Sequence, residues 1–138
     1  PAVALHVSQT LHAAFPDRFT VSANLERLVA AGKSGIYCWD EQGQPYVDPE
    51  VAALFVHGEV RLDADEVLRR AVDAMAQEAR LMLDEGVAAE PADLDLCMIT
   101  GAGWPFALGG LTPYLDRSGA AERVTGRRFL PKGVASLP

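Results

Sequence analysis

Residues 63–86 form a capped amphipathic run, and no other stretch limits the possible folds as strongly. Asp63-Ala-Asp-Glu66 has the spacing of a capping box, with aspartate in the role usually held by serine or threonine. Leu68, Ala71, Val72, Met75, Ala79 and Met82 then recur at steps of three and four, and Gly86 supplies a stop. The run predicts a helix of about six turns whose apolar stripe is buried along its length. Such a stripe needs other helices to cover it, which points to helix-on-helix layering.

The rest of the chain supplies candidates for that cover. Val3, Val7, Leu11 and Phe15 fall at i, i+4 spacing, so residues 3–15 read as a helix ended by Pro16-Asp17. Ser22 is a plausible N-cap for a short helix carrying Leu25, Leu28 and Val29, closed by Gly32. Two apolar or aromatic runs flank the polar turn Asp40-Glu-Gln-Gly43, which predicts a small β-hairpin near 36–47, or at least an extended excursion. Pro49 can open a short helix over 50–56, and Pro91 another through Ile99. Residues 111–117 read as one more short helix, closed by Gly119. The end, 126–138, reads as loop with Phe129 and Leu130 as its anchor. The expected fold is mainly α. It has a first group over 1–48, a linker over 49–62 and a second group over 63–138, with the polar, turn-rich stretch 40–63 as the boundary.

Charge is unevenly spread. The net charge of −7 resolves into −3 over 1–62, −8 over 63–116 and +4 over 117–138. The overall sign argues against general binding to nucleic acid or anionic membranes. Two readings of the basic tail stand side by side. Either it neutralises its acidic neighbour, or Arg123, Arg127, Arg128 and Lys132 form a patch for an anionic ligand. No apolar stretch approaches the ~20 residues of a membrane span, and there is no pattern of a secretory signal. Cys38 and Cys97 do not make a disulfide framework, so a reducing, cytoplasmic home is the simplest expectation.

Little in the residues carries chemistry. His6, His12, His57, Cys38 and Cys97 show none of the spacings of known metal sites, so no metal is expected. Cys38 lies in a strand-like run and Cys97 on an apolar helix, where both read as small core residues rather than reactive thiols. Gly101-Ala-Gly103-Trp-Pro-Phe106 begins like a dinucleotide fingerprint, but Phe106 stands at the third glycine and a helix, not a strand, precedes it. Asp93 suits the first turn of its helix, whereas Asp84-Glu85 stands at the unfavourable end of the long helix and calls for a partner or for solvent.

Across 66–119 the sequence resembles the last helical repeat of the fatty acid oxidation complex alpha subunit, the multifunctional enoyl-CoA hydratase/L-3-hydroxyacyl-CoA dehydrogenase. The carrying residues are Glu78-Ala79, Glu85-Gly86, Asp93-Leu-Asp95, Gly101-x-Gly103-Trp-Pro105, Gly109-Gly110 and Tyr114-x-Asp116, in the family's order. Residues 14–19 and 28–40 resemble the end of the preceding repeat, with Gly32-Lys-Ser-Gly-Ile-Tyr37 as a shortened form of its glycine-rich segment. Two features depart from the pattern. Phe106, Ala107 and Leu108 replace the second proline, the aromatic and the arginine of the family's P-P-F-R run, and a glycine is missing near Ser34.

The resemblance implies a 3-hydroxyacyl-CoA dehydrogenase C-terminal-type helical fold, similar to the C-terminal domain of 6-phosphogluconate dehydrogenase. In that reading 1–48 ends one repeat and 63–138 is the second repeat plus the basic tail. It implies an intact enzyme that oxidises L-3-hydroxyacyl-CoA with NAD and hydrates enoyl-CoA, with its catalytic groups upstream of residue 1. No catalytic, cofactor-binding or metal residue is therefore assigned here, and NAD belongs to the intact enzyme. The implied partners are the upstream Rossmann and hydratase domains, acyl-CoA in the intact enzyme and, as a further candidate, a thiolase subunit. The isolated chain is expected to be inactive and to self-associate through apolar surface. The rival reading is a stand-alone helical interaction or CoA-binding module, for which Trp104 and Phe106 would line the first candidate pocket.

Overall fold

The computed structural model describes residues 1–134, which are mainly helical, with seven α-helices and one two-stranded sheet among them. None of these helices is long and apolar enough to cross a membrane. The chain divides into two compact units, 1–60 and 61–138.

The first unit contains α1 (Ala2–Ala14), α2 (Ala23–Ala30), β1 (Tyr37–Trp39), β2 (Pro45–Val47) and α3 (Pro49–Leu54). Ser22 caps α2 and Asp48 caps α3, each accepting from a backbone N–H of the first turn. The strands pair antiparallel with Tyr37 opposite Val47, Cys38 opposite Tyr46 and Trp39 opposite Pro45. Asp40 Oδ1 holds the turn by accepting from Gln42 and Gln44 N–H at 2.9 and 2.7 Å. Apart from the half-buried Cys38, the strand side chains are open to solvent, Trp39 among them at 67% exposure.

The core of this unit is thin, with Leu28 and Val51 its buried apolar residues. Polar ties support it. The Asn24 side-chain amide closes a two-way pair with the Val56 backbone at 2.9 and 3.0 Å. Lys33 reaches Asp48 and Glu50, and these partners raise its pKa above the ordinary lysine value while Lys33 lowers that of Asp48.

Helix α1 forms as its apolar spacing predicts, but it has no buried residue, and Val3, Val7 and Phe15 are exposed. One expectation changes here. The stretch 49–62 is not linker throughout: it opens with α3, whose Val51 is fully buried, and the units divide after Val60.

The second unit contains α4 (Ala64–Asp84), α5 (Pro91–Gly101), α6 (Leu111–Arg117) and α7 (Ala120–Thr125), with a single 3-10 turn at Phe106–Leu108. Asp63 caps α4 by accepting from Glu66 N–H at 2.8 Å. Asp93 accepts from Ala89 and Glu90 N–H at 3.2 Å, closing the entry to α5. Helices α6 and α7 pack on one side of α4, and α5 packs on α6. The core gathers Val72, Ala76 and Ala79 of α4, Leu94 of α5, Leu111 and Leu115 of α6, Ala120 and Ala121 of α7, and Phe129 of the tail. Alanines on both α4 and α7 let the two backbones approach closely.

The buried part of α4 is shorter than its apolar periodicity. Leu68 and Ala71 are exposed, Ala76 joins the core, and burial begins at Val72 because α7 and α6 cover only the later turns. Helix α7 lies where the glycine at 119 alone suggested an ending. Its two buried alanines and lack of a side-chain cap leave no periodic signal.

Candidate functional site

The four basic candidates all follow α6. Arg123 donates to Asp73 Oδ1 from Nε at 3.1 Å. Arg127 donates to Asp84 Oδ1 at 2.6 Å. Arg128 lies 3.5 Å from Asp116 Oδ2 and donates from Nε to Leu130 O at 3.3 Å. Lys132 is exposed. The basic segment thus lies on carboxylates of the acidic helical region that precedes it. Of the two settings expected for Asp84 at the helix C-terminus, a partner or solvent, it has a partner in Arg127 and is half exposed as well. Arg123 and Arg69 line a shallow pocket of about 240 Å³ with Asp65, Leu68 and Tyr114. Both guanidinium groups there already bond Asp73, and Arg69 also bonds Glu66. Arg123 first, and Arg69 after it, hold the Asp73 carboxyl below the usual range. Arg69 and Arg70 pull Glu66 down to about 2.

The motif residues meet in one joint between α5 and α6. Asp95 of α5 accepts from Thr112 N–H at 2.7 Å on Oδ1 and from the Thr112 hydroxyl at 2.8 Å on Oδ2. Gly110 leaves room for this carboxylate, since a Cβ there would sit 2.3 Å from Asp95 Cγ. Gly109 has φ 72° and ψ −152°, a region closed to residues with a side chain. Trp104 packs edge-on against Tyr114 with ring centroids 5.4 Å apart. One turn further, the Asp116 side chain, 1% exposed, accepts from Phe129 and Leu130 N–H at 2.9 and 3.0 Å. The tail is locked again from α4, where the Arg80 guanidinium lies 4.3 Å from the Phe129 ring centroid and donates to Arg128 O at 3.1 Å. Burial lowers the Arg80 pKa from its ordinary value.

This geometry does not fit a dinucleotide. Helix α5 leads into Gly101, no strand precedes it, and Phe106 is 81% exposed at the tip of a turn. Trp104 faces Tyr114, while Phe106 points into solvent. Among the described residues no three His, Cys, Asp or Glu side chains gather as a metal site. His6, His12 and His57 are exposed, and His12 Nδ1 lies 2.6 Å from Phe19 O.

A second feature escaped the sequence reading. Cys97, expected in the core, is exposed, and Cys38 is half-buried on β1. Cys97 lines an apolar groove of about 210 Å³ between α4 and α5, together with Met75, Met82 and Met98. All three methionines of the chain are there. The available signal was the composition of α5, where Leu94, Leu96, Cys97, Met98 and Ile99 surround the helix instead of marking a single face.

No family model matches the chain, and no solved structure matches it.

Proposed function

We propose that the chain is the C-terminal helical region of a fatty acid β-oxidation enzyme. The intact protein would oxidise L-3-hydroxyacyl-CoA to 3-oxoacyl-CoA with NAD and hydrate enoyl-CoA. This region would contribute no reacting group. It would brace the upstream NAD domain and help close the acyl-CoA cleft, keeping water from the hydride transfer.

One observation carries the reading. The residues that bear the resemblance in 93–116 form a single structural joint. Asp93 caps α5, Asp95 ties α5 to α6, Gly109 and Gly110 admit that tie, Tyr114 stacks on Trp104, and Asp116 fastens the tail. Residues in an ordered motif whose work is packing and capping belong to a scaffold. The pairing of Arg123, Arg127 and Arg128 with carboxylates favours the same role over a coenzyme A phosphate patch.

The test begins with the native gene product, sized by immunoblot with an antibody to this chain. A band several times larger than 14.8 kDa is expected. The purified native protein should then oxidise NADH in the presence of acetoacetyl-CoA. A band at the size of the chain itself, or an intact protein without that activity, overturns the reading. The first of these outcomes leaves a helical interaction module without catalysis.

A further inference from the structure

We infer that the groove between α4 and α5 binds a soft monovalent metal ion, copper(I), through the Cys97 thiolate and methionine thioethers. This donor set stands whether or not the dehydrogenase reading holds. Met75 and Met82 line the groove from α4, and Cys97 and Met98 line it from α5. The chain has three methionines and two cysteines, so four of its five sulfur-bearing residues gather in one place. The helices present them together. At about 100° per residue, Met75 and Met82 lie about 20° apart around α4, two turns from each other. On α5, Cys97 and Met98 stand on either side of the direction taken by the buried Leu94. Cys97 is exposed and the three methionines are half-buried. Met82 and Cys97 also line a wider trough of about 520 Å³ beside residues 86–89, which gives an ion a path in from solvent.

The donors decide the ion. Thioethers lie outside the histidine and cysteine spacings that mark zinc sites, and together with a thiolate they select copper(I). Zinc takes four ligands from cysteine, histidine and carboxylates, and in this lining it would find Cys97 and Glu78 alone. An iron–sulfur cluster needs four thiolates, and the groove offers one. Methionine's three rotatable bonds let each sulfur swing toward the thiol. On binding, the Cys97 S–H bond breaks, its proton passes to water, and a copper–sulfur bond forms. The thioethers donate lone pairs and release no proton, and the copper stays Cu(I). One thiolate against one monovalent cation leaves no net charge in a groove otherwise lined by Ala79, Leu94 and Leu111.

The three methionine methyl groups give a direct readout on the unaltered chain, and Cys38 is an internal control in the other unit. The full chain, reduced and carrying carbon-13 in its methionine methyl groups, is titrated under argon with Cu(I) supplied as its acetonitrile complex. At one equivalent, at least two of the three methyl signals should shift, and one Cu(I) per chain should be retained against bicinchoninate. Cys97→Ser should weaken retention about tenfold or more and abolish the methyl shifts. Met75→Leu with Met82→Leu conserves volume, and it should weaken retention about threefold or more with Cys97 intact. Cys38→Ser should change neither readout, and Zn(II) should leave the methyl signals in place. Methyl signals of the unaltered chain that stay in place with Cu(I) overturn the inference, and retention without such shifts would be capture by a thiol alone. The same shifts with Zn(II), or equal loss of retention in Cys38→Ser and Cys97→Ser, overturn it as well.

Discussion

Asp95 and Gly110 act as a pair, and the geometry fixes how substitutions there should combine. Asp95→Ala strips Thr112, which is fully buried, of both its hydrogen-bond acceptors. A buried donor left unmade costs about 1–3 kcal/mol, so a loss of about 2–3 kcal/mol is expected. Gly110→Ala reaches a similar loss by another route, because its methyl group must push the carboxylate off Thr112. Removing the carboxylate also removes the clash. The double variant should therefore be little worse than Asp95→Ala alone, with a coupling of at least about 1 kcal/mol in a double-mutant cycle. Urea unfolding followed by circular dichroism measures all three, and strictly additive losses would refute the paired role. Arg127 offers the contrast. Its bond to Asp84 is exposed on both sides, and Arg127→Gln should cost less than about 1 kcal/mol.

At the scale of elements, α4 carries the pH response of its unit. Glu66 titrates near 2 in the folded chain instead of 4.5, and Asp73 is lowered from 3.8. Each carboxylate stabilises the folded state above its unfolded value and ceases to do so as pH falls through its folded value. Acid unfolding should therefore steepen between about pH 4.5 and 2. The double variant Glu66→Gln/Asp73→Asn should flatten that limb and leave the curve above pH 6 unchanged in slope. Unaltered steepness would mean that other carboxylates dominate.

Much of this helical layout was legible in the sequence. Asp63 and Asp93 announce the entries to α4 and α5, Pro91 the first turn of α5, and the aromatic runs around Asp40 the hairpin. That Asp84 would take a partner or face solvent was legible too, although not that Arg127 would pair with it. Burial was harder to read, because periodicity records which face is apolar and not how far a neighbour covers it. Leu68 and Ala71 continue the stripe of α4 beyond the reach of α7, and Cys97 belongs to a helix apolar on several sides but covered on one. The joint at Asp95, Gly110 and Thr112 could be seen as a motif, while its work depends on contacts 17 residues apart.

The molecule as a whole exposes more apolar surface than its second core would suggest. Val3 and Val7 on α1, Phe15 just after it, Trp39 on the hairpin and Phe106 on the turn are all open, and the groove at Cys97 adds to them. Patches of this kind in an isolated chain favour association. Sedimentation velocity should show dimers or larger species whose share grows between 10 and about 200 µM. A single species of 14.8 kDa throughout that range would refute this expectation.

Each unit carries one of the chain's two tryptophans, and their surroundings differ. Trp39 already faces water on the hairpin, so its emission should be red-shifted in the native state and change little when the first unit opens. Trp104 is packed on Tyr114 beside the joint between α5 and α6, and its emission should move to longer wavelength when that joint parts. Without any label, the intrinsic fluorescence of this protein becomes a selective spectroscopic reporter of one unit while the other unfolds almost unseen.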